Sequence, residues 1–168
     1  MRTDLDHLPP NKQRELERVV EIVFDEFGDA LALAKHEWKK KARILKIILY
    51  GSYARGGWVD EPHTAKGYRS DYDLLIIVND KRIADRVKYW LKLEERLDRE
   101  LAITGALRTP VNFIVHTLQE VNDGLAHGRY FFMDIAKDGI ALYQCDDTEL
   151  HQPKPKTPAQ ARAMAQEY

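Results

Sequence analysis

Gly51-Ser52-Tyr53-Ala54-Arg55-Gly56 and Ser70-Asp71-Tyr72-Asp73-Leu74-Leu75-Ile76-Ile77-Val78 decide how this chain folds. The second stretch reads as a strand, an unbroken aliphatic run opened by two aspartates one position apart. The first follows another apolar run, Ile44 to Tyr50, and turns on a glycine. Side chains at i and i+2 of a strand share a face. Asp71 and Asp73 therefore project together from a sheet edge, where they can share divalent cations. Gly51-Ser52, on the turn after the neighbouring strand, offers backbone N–H groups and a hydroxyl to a phosphate. Metal-binding carboxylates beside a phosphate cradle suit two-metal phosphoryl or nucleotidyl transfer.

Working outward, Pro9-Pro10 precedes a helix with Leu16, Val19, Val20, Val23, Phe24 and Phe27 on one face, and Gly28 is expected to end or loosen it. A basic segment, Lys35 to Arg43, leads into the first strand, and Asp71 to Val78 form the second. Asp80 is expected to cap one helix with Ile83, Val87, Trp90, Leu91, Leu97 and Leu101 along its stripe. Thr109-Pro110 precedes a third strand, Val111 to Val115, and Thr117-Leu118-Gln119-Glu120 is a capping box opening another helix. Tyr130 to Ala136 stops at Gly139, read as a left-handed residue, before a last strand at Ile140 to Tyr143. The sum is an α/β (α+β) domain over residues 1–150, with a small mixed sheet flanked by helices. Pro153-Lys154-Pro155-Lys156-Thr157-Pro158 then reads as an extended linker, and residues 159–168 as the start of an unfinished helix.

The chain has 168 residues, 44% hydrophobic and 32% charged, with a formal net charge of -1. That supports one globular domain with a single core and no global basic field, which disfavours a grip on long nucleic acid. A local basic patch would escape this test. Cys145, the single cysteine, has no partner for an intrachain disulfide and no metal-ligand companions nearby. No apolar stretch approaches a membrane span, and Met1-Arg2-Thr3-Asp4 does not open a signal peptide, so the expected compartment is the cytoplasm.

The pair of motifs at 51–56 and 70–75 resembles the signature of the DNA polymerase β-like nucleotidyltransferase superfamily, and most of all its minimal (MNT) branch, often partnered with a HEPN domain. The resemblance spans roughly Lys41 to Gln144. It implies a nucleotidyltransferase fold and transfer of a nucleoside monophosphate, AMP from ATP, with Mg²⁺ as cofactor. Asp71 and Asp73 would be metal ligands and catalytic, and Gly51, Ser52 and Arg55 would bind the nucleotide. The implied acceptor is a hydroxyl, such as the tyrosine of a HEPN domain in cis or in trans, and a homo-oligomer stays open. The unfinished helix is where such a HEPN domain would continue. The family supplies a third carboxylate from the next strand, and Asn112 stands at that position here. Asparagine offers a carbonyl oxygen but neither charge nor a proton acceptor. This departure keeps two alternatives in play: a catalytically weak nucleotide-binding regulatory or antitoxin domain, and a small-molecule enzyme of the aminoglycoside nucleotidyltransferase kind.

Other residues weigh less. Asp60 or Glu61, in the polar stretch from Trp58 to Arg69, could replace the missing carboxylate. His63 reads as a solvated loop residue, and His116 and His127 lack zinc-ligand spacing. Tyr130-Phe131-Phe132-Met133 reads as core, and Lys39-Lys40-Lys41 as a solvated face.

Overall fold

The computed structural model describes residues 1–59, 70–145 and 150. The linker expected at 153–158, the unfinished helix at 159–168, and Asp60, Glu61 and His63 lie outside the described residues. The elements run α1 (Pro10–Leu31), α2 (Glu37–Lys40), β1 (Ile44–Tyr50), α3 (Ser52–Arg55), β2 (Tyr72–Val78), a 3₁₀ turn (Lys81–Ala84), α4 (Arg86–Tyr89), α5 (Leu91–Ala102), β3 (Val111–Thr117), α6 (Leu118–Ala126), α7 (Tyr130–Asp138) and β4 (Ile140–Gln144).

The four strands form one mixed sheet in the order β3-β2-β1-β4, with β2 and β3 parallel and the other pairs antiparallel. Its central strands are buried on both faces, which is why they read as continuous apolar runs. One face carries Ile47, Leu49, Tyr72, Leu74 and Ile76 against α1 and α5, whose Leu16, Val19, Ile22, Val23, Leu93 and Leu97 close the larger core. The other face carries Ile48, Leu75 and Ile77 against Val121 and Leu125 of α6 and Ile135 of α7. A bulge between Ile44 and Lys46 resets the alternation of β1, so that Leu45 joins Ile48 and Tyr50 on the second face.

Four local expectations need correction. The first helix runs through Gly28 to Leu31, because Gly28 keeps a negative φ and its neighbours continue the buried face. The single helix expected after Asp80 is three pieces. Asp80 caps the 3₁₀ turn by accepting from the Arg82 N–H, Asp85 caps α4 by accepting from the Lys88 N–H, and α5 begins afresh. The indole N–H of Trp90 donates to the Ile83 carbonyl at 2.6 Å, folding the pieces together. Val87 and Leu91 consequently face solvent, and Leu93 takes the buried position. Gly139 has φ -66°, not a left-handed value. It is required by crowding, since a Cβ there would lie 2.4 Å from the Ile135 carbonyl oxygen and 2.7 Å from Ile48 Cγ2. Finally, only half of the aromatic run is core: Phe132 and Met133 pack partly buried against the smaller cluster, Tyr130 and Phe131 are exposed, and Ile135 is the fully buried residue of α7. The capping box is present as expected, with Thr117 and Glu120 each bonding the other's backbone N–H.

Candidate active site

The site lies where β1 ends and β2 and β3 begin. Register brings its residues together: Asp73 pairs with Tyr50 of β1 on one side and with Asn112 of β3 on the other. Asp71 stands exposed just before β2, on the same face as Asp73. The chain between β1 and α3 passes through Gly51, at φ +76°. A Cβ at that position would sit 2.5 Å from Asp73 Oδ2 and meet the carboxylate it has to clear. Glycine is therefore demanded twice, by handedness and by space. Ser52 opens α3, where the Ala54 and Arg55 N–H groups both donate to the Gly51 carbonyl at 3.1 Å. Arg55 closes that turn and is exposed.

Electrostatically, Asp73 is the stressed member. Burial and then the charge of Asp71 push its carboxyl above the usual range, while hydrogen bonding from Asn112 and the charge of Arg55 pull it back. Tyr50, half-buried beside it, is pushed up to about 12, by burial first and then by Asp73. Its phenol stays protonated at neutral pH. The exposed ring of Phe131 meets Tyr50 edge-on, with centroids 5.7 Å apart at 85°.

The carboxylates are held from beneath by a buried polar network. Tyr72, between them in sequence, points to the opposite face, where its hydroxyl donates to Glu15 Oε1 at 2.6 Å. Glu15 also accepts the Arg108 N–H at 2.7 Å, and Lys12 donates to the Thr109 hydroxyl at 2.8 Å. The Lys12 ammonium lies 5.5 Å from the centroid of Tyr53 and 5.9 Å from that of Tyr72. Helix α1 thus anchors the start of β2, the approach to β3 and the first turn of α3 at once. On the other side of α3, His7 Nε2 donates to the Tyr53 carbonyl at 2.6 Å, and Trp58 stacks on the Tyr53 ring at 5.4 Å.

Asp71, Asp73, Asn112, Gly51, Ser52 and Arg55 are thus gathered at one edge. His116 lies instead beside Glu120, 3.2 Å away, and His127 beside the Asp123 carbonyl, 2.7 Å away. Among the described residues, no group of three His, Cys, Asp or Glu side chains is arranged to hold a metal. Two carboxylates and an amide remain, a donor set of hard oxygens that suits magnesium once phosphate oxygens complete the shell. The mutual repulsion of the two aspartates is what such a cation would relieve. Sequence reasoning missed Tyr50, Lys12 and Glu15, and assigned Phe131 to the core. Tyr50 had a signal, its place directly before Gly51; the others depend on tertiary packing.

The family model for polymerase beta nucleotidyltransferases matches residues 34–148, which spans Gly51, Ser52, Arg55, Asp71, Asp73 and Asn112 but not the anchoring Lys12 and Glu15. No curated protein sequence matches. Among solved structures, a mutant of the toxin–antitoxin MntA–HpeT is similar at 13% identity and a TM-score of 0.39, covering 90% of this chain and 81% of that one. Among the described residues no helix is long and apolar enough to cross a membrane.

Proposed function

Because the chain belongs to the polymerase beta nucleotidyltransferase family, we propose that it transfers AMP from ATP to an acceptor hydroxyl at the Asp71–Asp73 edge. The observation that carries this reading is the close approach of the Gly51 turn to Asp73, which supports reading that turn as a phosphate cradle beside the carboxylates. Asp71 and Asp73 would hold magnesium, and the amide oxygen of Asn112 is the third donor available. When bound, the metal offsets triphosphate charge and lowers the pKa of the attacking hydroxyl. Ser52 donates its hydroxyl to the distal phosphates, the glycine lets the backbone approach them, and Arg55 adds positive charge. Tyr50, opposite Asp73, and the Phe131 ring packed on it would give the base a ring to lie against.

The acceptor that the resemblance to minimal nucleotidyltransferases suggests is the tyrosine of a HEPN-domain partner. A second reading, a nucleotide-binding domain with weak catalysis, is favoured by Asn112, which in the register of Asp73 brings an amide where a third carboxylate would take the proton. Incubation with labelled ATP and magnesium, with and without a HEPN partner, separates the two. Labelled partner or released pyrophosphate supports transfer; tight ATP binding with neither product supports the binding domain.

A further inference from the structure

At the far end of β2 from the aspartates, the chain builds a second charged surface. Residues 35–43 carry five Lys or Arg against one Glu, and residues 80–89 carry four against two Asp. Together they hold six net positive charges in a chain whose total is -1. The two segments meet: the Arg82 guanidinium lies 4.3 Å from the Trp38 ring centroid, and Lys39 lies 5.7 Å from Trp38 and 5.5 Å from Tyr89. Trp38 and Tyr89 are themselves packed edge-to-face, with centroids 6.2 Å apart. A groove of about 610 Å³ opens here, lined by Trp38, Lys81, Arg82, Lys88, Tyr89 and His116, with Asp85 and Glu120 also in its wall.

The carboxylates nearby are already engaged. Asp80 pairs with Arg82 at 2.7 Å, Asp85 caps α4, Glu37 lies 3.6 Å from Lys40, and Glu120 serves the capping box and His116. Among the described residues, Lys39, Lys81 and Lys88 have no carboxylate partner. Tyr89 lines the same groove, and its hydroxyl is buried without a hydrogen-bond partner. Lys81 and Lys88 in the groove, and Lys39 beside its Trp38 and Tyr89, supply point charges for phosphates, and the Arg82 guanidinium lies over the Trp38 ring. Charge alone would suit any polyanion; a stacked guanidinium and indole between lysines suits one whose units carry flat rings.

We propose that this groove docks single-stranded nucleic acid, with phosphates on Lys39, Lys81 and Lys88 and a base on the Arg82–Trp38 stack. The site is separate from the aspartates. It lies at the C-terminal end of β2, seven residues long, or about 20 Å of extended chain. It also stands independently of the nucleotidyl-transfer reading.

The test is fluorescence anisotropy of the full chain with a labelled mixed-sequence 12-mer, as single-stranded RNA and DNA, across a salt series. Wild type should bind, with affinity falling steeply as salt rises. Lys81→Ala/Lys88→Ala should weaken binding roughly tenfold and flatten the log–log salt slope by about 1.4. Arg82→Lys, which keeps the charge and loses the plane, should weaken binding several-fold with the slope unchanged, and Asp73→Asn should bind as wild type. Circular dichroism confirms that each variant is folded. Binding that ignores the Lys81/Lys88 pair overturns the site. Equal affinity for duplex overturns the single-strand assignment, and equal affinity for polyglutamate with no effect of Arg82→Lys overturns the nucleic-acid assignment and makes the groove a contact for an acidic protein surface.

Discussion

At Asp73, burial and the charge of Asp71 raise the carboxyl above its unfolded value. Ionising it in the folded, metal-free protein therefore costs stability: the penalty is absent below the ordinary carboxylate range and grows as pH rises through the raised value. Asp73→Asn should melt higher than wild type in EDTA at neutral pH, and the gap should close on acidification. Adding magnesium and ATP should reverse the order, since only wild type gains ligand stabilisation, about 2.7 kcal/mol at a hundredfold excess over Kd. Thermal melts at several pH values, with and without the ligands, read both effects; a variant that still responds to magnesium removes Asp73 from the metal site. Gly51→Ala forces a side chain into φ +76° and against Asp73 Oδ2. The strain should cost about 1–3 kcal/mol, so the glycine cannot be tested as though it sat on a free surface turn. Loss of ATP binding in a variant shown to be folded is the expected result. Asn112→Asp would set a third carboxylate opposite Asp73. It should destabilise the metal-free protein, tighten the magnesium requirement and raise transfer by roughly 10²–10⁴-fold if the proton acceptor is what is missing. Single-turnover rates at fixed ATP decide this; no gain in rate favours the binding domain.

Elements differ in how much of their shape the chain declares in advance. β1, β2 and β3 are readable because each is an apolar run bounded by turn or polar residues, whereas their order β3-β2-β1-β4 is not. Nor is the region after Asp80. Its apolar residues keep near-helical spacing, but Asp85 competes as a second cap and the Trp90–Ile83 bond folds the segment back. α7 misled for a related reason: its aromatic end lies at the rim of the sheet, where Phe131 meets Tyr50 and stays exposed. The anchoring of β2 by α1 could not be read at all, since Glu15 and Tyr72 are 57 residues apart. That anchor makes a prediction. Tyr72→Phe removes the donor to a carboxylate buried beside Lys12, and should cost about 1.5–3 kcal/mol. Urea denaturation measures the loss, and the variant should also bind magnesium–ATP less well although it touches neither ligand.

On the scale of the whole molecule, the sheet divides the protein's business between its two ends, carboxylates at one and the cationic groove at the other. Between β1 and β2, the chain closes a small clasp: the Val59 N–H donates to the Ser70 hydroxyl at 2.8 Å, and the Ser70 N–H donates to the Val59 carbonyl at 2.7 Å. Ser70 is buried, and the adjacent Trp58 is stacked on Tyr53. Replacing residues 60–69 with a short Gly-Ser bridge should leave the melting temperature within a few degrees of wild type, because closing a loop of this size depends only weakly on its length. A large drop would show that the segment itself supports the sheet. The clasp fixes both ends of that interval through its own hydrogen bonds, so substitutions within residues 60–69 should leave Asp71 and Asp73 in place, and variation in that stretch should be separable from the stability of the carboxylate edge.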